Sequence, residues 1–250
     1  MINKENKLEL LEFNRKFLEA LKNNNVSLDI SLDKTEKLFE LTKIMLEVNK
    51  VMNLTAITDE DAIIVKHYVD SLMVSSYIPN GATVIDVGCG AGFPCLPLAI
   101  FRKDLMITAL DSTAKRIKYI DDTAKKLDIT NIIPIAARAE ELGKQMEYRE
   151  HFDVATARAV AALPILSELC LPFVKKGGIF VSMKASQGSQ EAIDAQNAIK
   201  LCGGSIVSVD KLTLLSSQNT EDRTIISVLK NASTPTKYPR HYSQITKKPL

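Results

Sequence analysis

From Ala82 onward the chain alternates short apolar, β-branched runs with segments long enough to hold a helix. The runs are Thr83–Val87, Met106–Leu110, Asn131–Ala136, Phe152–Ala157 and Ile179–Met183. Neighbouring parallel strands need a crossover of roughly a dozen residues or more, usually a helix. The spacing therefore predicts an α/β fold with a mainly parallel sheet covered on both faces. Two later runs, Ser205–Val209 and Thr224–Leu229, have only a loop between them and suggest an antiparallel pair at one edge, completing seven strands.

The part before this alternation has a different period. Leu10, Leu11, Phe13, Phe17, Leu18 and Leu21 recur at helical spacing, and Leu38, Leu41, Ile44, Met45 and Val48 repeat the pattern after Asn23-Asn24-Asn25. A third helix is expected with Thr58 as N-cap, running through His67 to Val74, before the Pro79-Asn80-Gly81 turn. The expected organisation is an N-terminal helical extension over residues 1–80, a core over 81–230 and a basic tail over 231–250. At 250 residues and 46% hydrophobic content, one main core is the natural outcome.

The net charge of +2 does not demand a polyanionic partner, but its distribution is uneven. After Asp222 there is no carboxylate, while Arg223, Lys230, Lys237, Arg240, Lys247 and Lys248 are all basic. The four cysteines form no CxxC pair, so neither a zinc site nor a disulfide framework is expected. There is no apolar run of membrane-spanning length, which points to a cytoplasmic protein.

The sharpest local signal is Val84-Ile85-Asp86-Val87-Gly88-Cys89-Gly90-Ala91-Gly92-Phe93-Pro94. An apolar strand runs into glycines that tolerate positive φ and let backbone approach a ligand before a helix begins. A dinucleotide fingerprint would place glycine where Phe93 stands, and a phosphate-binding loop would carry a Lys-Ser/Thr pair that is absent. The spacing suits an adenosyl cofactor, or else a tight turn without a ligand. Asp111 ends the next apolar run, 23 positions beyond Gly88. A carboxylate there can accept hydrogen bonds from both ribose hydroxyls; it can equally cap the helix expected from Ser112 to Lys126.

Several motifs outside the glycine turn carry a family resemblance over nearly the whole chain. They are Asn53-Leu54-Thr55-Ala56-Ile57, Lys66-His67 with Asp70-Ser71-Leu72, Ala137-Arg138-Ala139-Glu140, Ala157-Arg158-Ala159-Val160 and Tyr238-Pro239-Arg240. In these the chain resembles the bacterial 16S ribosomal RNA guanine-N7 methyltransferases, also called glucose-inhibited division protein B. The resemblance implies a Rossmann-like class I S-adenosylmethionine-dependent methyltransferase fold with an N-terminal helical extension. It implies S-adenosyl-L-methionine as cofactor, S-adenosyl-L-homocysteine as product, and 16S rRNA or the small ribosomal subunit as partner. Cofactor contacts carry over to Gly88, Phe93, Ala139, Glu140 and Arg158, and Asp111 matches the ribose-side strand end. Two departures stand out: Cys95 replaces a usual glycine, and His241–Thr246 lacks the Gly-Thr-Pro type of segment common in relatives.

The implied chemistry asks little of side chains. Guanine N7 carries a lone pair at neutral pH, so no obligatory catalytic base and no metal are expected, and positioning does the work. Asp86 and Glu140 are candidates to stabilise charge on the product side. His67 reads as a packing histidine at least as well as a substrate contact. Lys66, Arg138 and Lys184 are candidate phosphate contacts, Lys184 the better placed at a strand end. The alternatives are a small-molecule methyltransferase and a non-catalytic RNA- or nucleotide-binding protein of the same fold. Nothing in the sequence argues for more than a monomer.

Overall fold

The computed structural model describes residues 4–216 and 219–250; Met1, Ile2, Asn3, Ser217 and Gln218 lie outside the described residues. Helices α1 (Lys4–Asn23) and α2 (Leu32–Met52) come first. On α1, Leu10, Phe13, Phe17 and Leu21 are buried, whereas Leu11 and Leu18 are exposed. Helix α2 is capped by Ser31 and ends at Asn53, which takes the left-handed conformation at φ 50°, a role asparagine fills when glycine is absent.

The third helical stretch is capped by Asp59 rather than Thr58: the Asp59 carboxylate accepts the Ala62 N–H at 2.9 Å. It runs as α3 (Glu60–Ile63), a π-helical turn over Ile64–Val69, α4 (Asp70–Leu72) and a 3-10 turn over Met73–Tyr77. These turns are held from outside by aromatic packing. Phe13 meets Phe39 at 5.4 Å and Tyr68 at 6.3 Å between ring centroids. Fully burying each such ring contributes about 1.5–3 kcal/mol, so the N-terminal stripes are core. The Tyr68 hydroxyl is satisfied within that core by Thr42 at 2.7 Å.

The strands are β1 (Thr83–Val87), β2 (Met106–Asp111), β3 (Ile132–Ala136), β4 (Phe152–Arg158), β5 (Val174–Lys184), β6 (Gly204–Leu215) and β7 (Thr220–Lys230). Between them stand α5 (Cys95–Phe101), α6 (Ala114–Lys126), α7 (Ala139–Leu142), α8 (Leu163–Cys170), α9 (Gly188–Asp194) and α10 (Gln196–Leu201). They form one seven-stranded sheet in the order β3-β2-β1-β4-β5-β7-β6. The pairings β1–β2, β2–β3, β1–β4 and β4–β5 are parallel, and β7 is antiparallel to both β5 and β6. The fold class read from the sequence is therefore the observed one, with β5, β6 and β7 longer than the apolar runs alone implied.

Two apolar clusters sandwich the sheet. One joins α1, α2 and the turns around Tyr68 to α5 and α6; the other joins α8 and α10 to Ile85, Ala155 and Phe180. The chain moves outward from β1 to β3 and then returns to place β4 on the other side of β1. That reversal opens a crevice at the carboxyl ends of β1 and β4, where open α/β sheets bind ligands.

After β7 the chain does more than lie along the surface. Tyr238 and Ile245 are buried, and a short helix, α11 (Tyr242–Lys247), forms within the segment. The Arg240 guanidinium pairs with the fully buried Glu168 at 2.6 Å.

Candidate active site

The turn after β1 is built from the positions where the sequence carries glycine. Gly88, Gly90 and Gly92 have φ of 76°, 56° and 91°, conformations an L side chain adopts only with strain. The N–H groups of Gly88 and Cys89 both donate to the Leu110 carbonyl, at 2.7 and 3.0 Å, drawing the turn onto the end of β2. A Cβ at Gly90 would meet nothing nearer than 3.9 Å, so this stretch of backbone faces open space. Cys95 fits without a glycine: its side chain is fully buried and its N–H donates to Asp86 at 3.3 Å.

Asp111 connects this turn to the next helix. One carboxylate oxygen accepts the Gly90 N–H at 3.1 Å, the other the Thr113 N–H at 2.8 Å. The N-cap position of α6 is Thr113, so Asp111 supports the loop before the helix and retains acceptor capacity for further donors.

A cavity of about 430 Å³ opens here, within the size range of cofactor sites. Gly88, Phe93, Asp111, Ala139, Glu140 and Arg158 all line it. At the β3 side, Glu140 is buried and accepts Arg138 Nε at 3.0 Å. At the β4 side, Arg158 donates to the Lys66 carbonyl and to Asp70, each at 3.0 Å. Its guanidinium carbon lies 5.4 Å from the centre of the Phe93 ring. Ala159, the next residue, holds φ at 55°, strained backbone of the kind found at ligand sites.

His67 also faces the cavity, stacked on Phe93 with centroids 4.5 Å apart and an 11° interplanar angle. Its Nε2 pairs with the Thr55 hydroxyl at 2.9 Å. Burial, reinforced by the Arg158 guanidinium, lowers the imidazole pKa to about 4. The Asn-Leu-Thr-Ala-Ile motif thus has a structural reason: Asn53 ends α2, and Thr55 joins Asn49 to His67.

Other sequence candidates lie elsewhere. Asp86 sits beneath the turn, bound to the Thr156 hydroxyl at 3.0 Å and to Cys95, and burial pushes its carboxyl up to about 6. Lys184 is committed to Glu191 at 2.8 Å, and Lys66 to Glu221 at 2.5 Å. Only Arg138 of the three proposed phosphate contacts borders the cavity. Val160 and Tyr242 border it too, although the sequence offered no periodic signal for Tyr242. Among the described residues there is no group of three or more His, Cys, Asp or Glu suited to a metal, and no helix long and apolar enough to cross a membrane.

The sheet order and crevice are those of the class I S-adenosylmethionine-dependent methyltransferase fold. Solved structures share the fold: an Aquifex aeolicus SAM-dependent methyltransferase has a TM-score of 0.52 at 14% identity, covering 75% of this chain and 98% of its own. M. jannaschii TYW2 in complex with AdoMet has a TM-score of 0.51 at 16% identity, covering 65% of this chain and 77% of its own. Within that class, the chain belongs to the rRNA small subunit methyltransferase G family, whose family model matches residues 34–220. The ribosomal RNA small subunit methyltransferase G of Lactobacillus acidophilus is 41% identical over 239 residues, 94% of this chain and 98% of the relative. That of Clostridium beijerinckii is 41% identical over 229 residues, 90% of this chain and 95% of the relative.

Proposed function

We propose that this protein transfers a methyl group from S-adenosylmethionine to N7 of a guanine in 16S rRNA, acting as a cytoplasmic monomer on the small ribosomal subunit. The observation that carries the reading is the convergence of Gly88, Phe93, Asp111, Ala139, Glu140 and Arg158 on one cavity at the β1/β4 crossing.

The donor set fits the cofactor. Asp111 offers acceptors to the ribose hydroxyls, and Ala139 and Glu140 flank the base on the β3 side. The amino-acid end is left to the turn at Gly88 and to Arg158, a cation suited to a carboxylate. Bound there, S-adenosylmethionine supplies an electrophilic methyl on a positively charged sulfur.

On the substrate side, Leu54, Thr55 and Val160 border the cavity where guanine would approach. With its pKa near 4, His67 is neutral at physiological pH and adds no second positive charge beside a sulfonium. No group on the chain has to remove a proton from N7. Holding the reactants in a near-attack geometry lowers the barrier by roughly 7–11 kcal/mol, so no nucleophilic side chain is required.

The test is transfer of labelled methyl to small subunits and rRNA from cells lacking the protein, followed by chain cleavage at 7-methylguanine. One labelled guanine in the small-subunit RNA is expected. Cofactor binding without label in either substrate would overturn the assignment.

A further inference from the structure

We infer that Tyr242, delivered by the C-terminal helix, stacks with Arg138 to close the adenine end of the cofactor cavity, so that the tail is part of the cofactor site. The inference rests on the proposed placement of the base beside Ala139 and Glu140.

Tyr242 is 36% exposed, too open for a core residue, and it borders the same cavity as Asp111 and Glu140. The Arg138 guanidinium lies over it, 4.3 Å from the ring centre. Arg138 is in turn fixed by Glu140 at 3.0 Å. A ring, a planar cation and a carboxylate are thus joined at one end of the cavity. Flat aromatic and guanidinium surfaces are the groups on which a purine stacks.

The position of the ring is enforced. Arg149 comes from the stretch after α7, the helix that carries Ala139 and Glu140. It donates to the carbonyls of Gly143 at 3.0 Å, Tyr238 at 3.0 Å and Thr234 at 2.6 Å, tying the tail to the base side of the cavity. On the other flank Arg240 grips the buried Glu168, and Ile245, on the helix itself, is fully buried. A desolvated ion pair requires good geometry to offset its cost, so this attachment defines one placement of Tyr242.

The experiment measures calorimetric binding of S-adenosylhomocysteine and of 5′-methylthioadenosine, which keeps the adenosine but lacks the amino-acid end. Tyr242→Ala is expected to weaken both by the same factor, about five- to tenfold, as loss of an aromatic stack does. Tyr242→Phe, which keeps the ring, should bind both normally. Arg138→Gln removes the cationic layer from the ring while leaving the Arg149 and Arg240 anchors of the tail in place, and the same direction is expected; it carries the test if Tyr242→Ala lowers the melting midpoint. Unchanged affinity in both Tyr242→Ala and Arg138→Gln, with Asp111→Ala still weakening binding, overturns the inference; a raised KM for small subunits in those variants would then assign the ring to RNA. If Asp111→Ala is also silent, the placement of the cofactor itself fails.

Discussion

Asp70 and Arg158, 88 positions apart in the chain, meet at 3.0 Å between Oδ2 and Nη1. The second oxygen of Asp70 accepts Arg223 Nε at 2.9 Å, and Arg223 continues to Glu221, which pairs with Lys66. One carboxylate on α4 therefore aligns an arginine from the end of β4 with one from β7.

Removing that carboxylate leaves, among the described residues, the largely buried Arg158 with no counter-charge, only the Lys66 carbonyl, and Arg223 with Glu221 alone. Asp70→Ala is expected to cost about 3 kcal/mol or more in urea unfolding and to raise the KM for S-adenosylmethionine. Unaltered values for both would mean that Arg158 is held without Asp70.

The three glycines of the turn should respond in a defined order. At Gly92 an added Cβ would lie 2.4 Å from Cδ1 of the fully buried Leu96, on top of a φ of 91°. At Gly88 the clash, 2.6 Å, is with Val160, which is 40% exposed and has room to move. At Gly90 only backbone strain remains. Gly92→Ala is expected to lose about 3 kcal/mol and Gly90→Ala about 1–2 kcal/mol, with Gly88→Ala between them. Denaturation midpoints arranged in another order would contradict the packing.

Asp111→Ala removes the acceptors assigned to the ribose and releases the Gly90 N–H. Hydrogen bonds to a charged group contribute about 1.5–3 kcal/mol, so calorimetry should find affinity for S-adenosylhomocysteine reduced about ten- to a hundredfold. Affinity equal to that of the unaltered protein would remove Asp111 from the cofactor site.

Two buried groups titrate against each other in acid. His67 has its pKa lowered to about 4 in the fold. The unfolded chain therefore binds the extra proton first, and stability falls as pH drops from 6.5 towards 4. Asp86 is raised to about 6, so the folded state takes up the proton first and stability rises as pH drops from 6 towards the ordinary carboxylate value. Each contribution is about 3 kcal/mol. Relative to the unaltered protein, His67→Gln should gain stability as pH falls from 7 to 4.5, and Asp86→Asn should lose it. Parallel pH profiles for all three proteins would rule out both shifts.

Much of this architecture is written locally. The run Thr83–Val87 is β1 to the residue, because a buried parallel strand reads as a short, mainly apolar segment, interrupted here by Asp86, whose carboxylate is held by Thr156 and Cys95. The start of β5 is not legible because Lys175-Lys176-Gly177-Gly178 has the composition of a loop; in the sheet Val174 pairs with Phe152 and Ile179 with Val154, and these four residues form an irregularity between them. Thr58 and Asp59 are both good capping residues, and only tertiary placement chose between them. In the site, the glycines and Asp111 could be read from spacing, since each answers a backbone or hydrogen-bonding need within a few residues. Tyr242 could not: its contact is with Arg138, 104 positions earlier, and six residues of α11 are too few to display a period.

The strand order has a consequence for synthesis. Among the described residues, β6 pairs only with β7, and β7 alone joins that hairpin to β5. While the chain is emerging from a ribosome, β1 to β5 can assemble in sequence, but β6 has no strand partner until β7, from Thr220 on, has left the exit tunnel. The enzyme therefore acquires its last internal strand, and Arg223 to bracket Asp70, only after the parallel part of the sheet has been made.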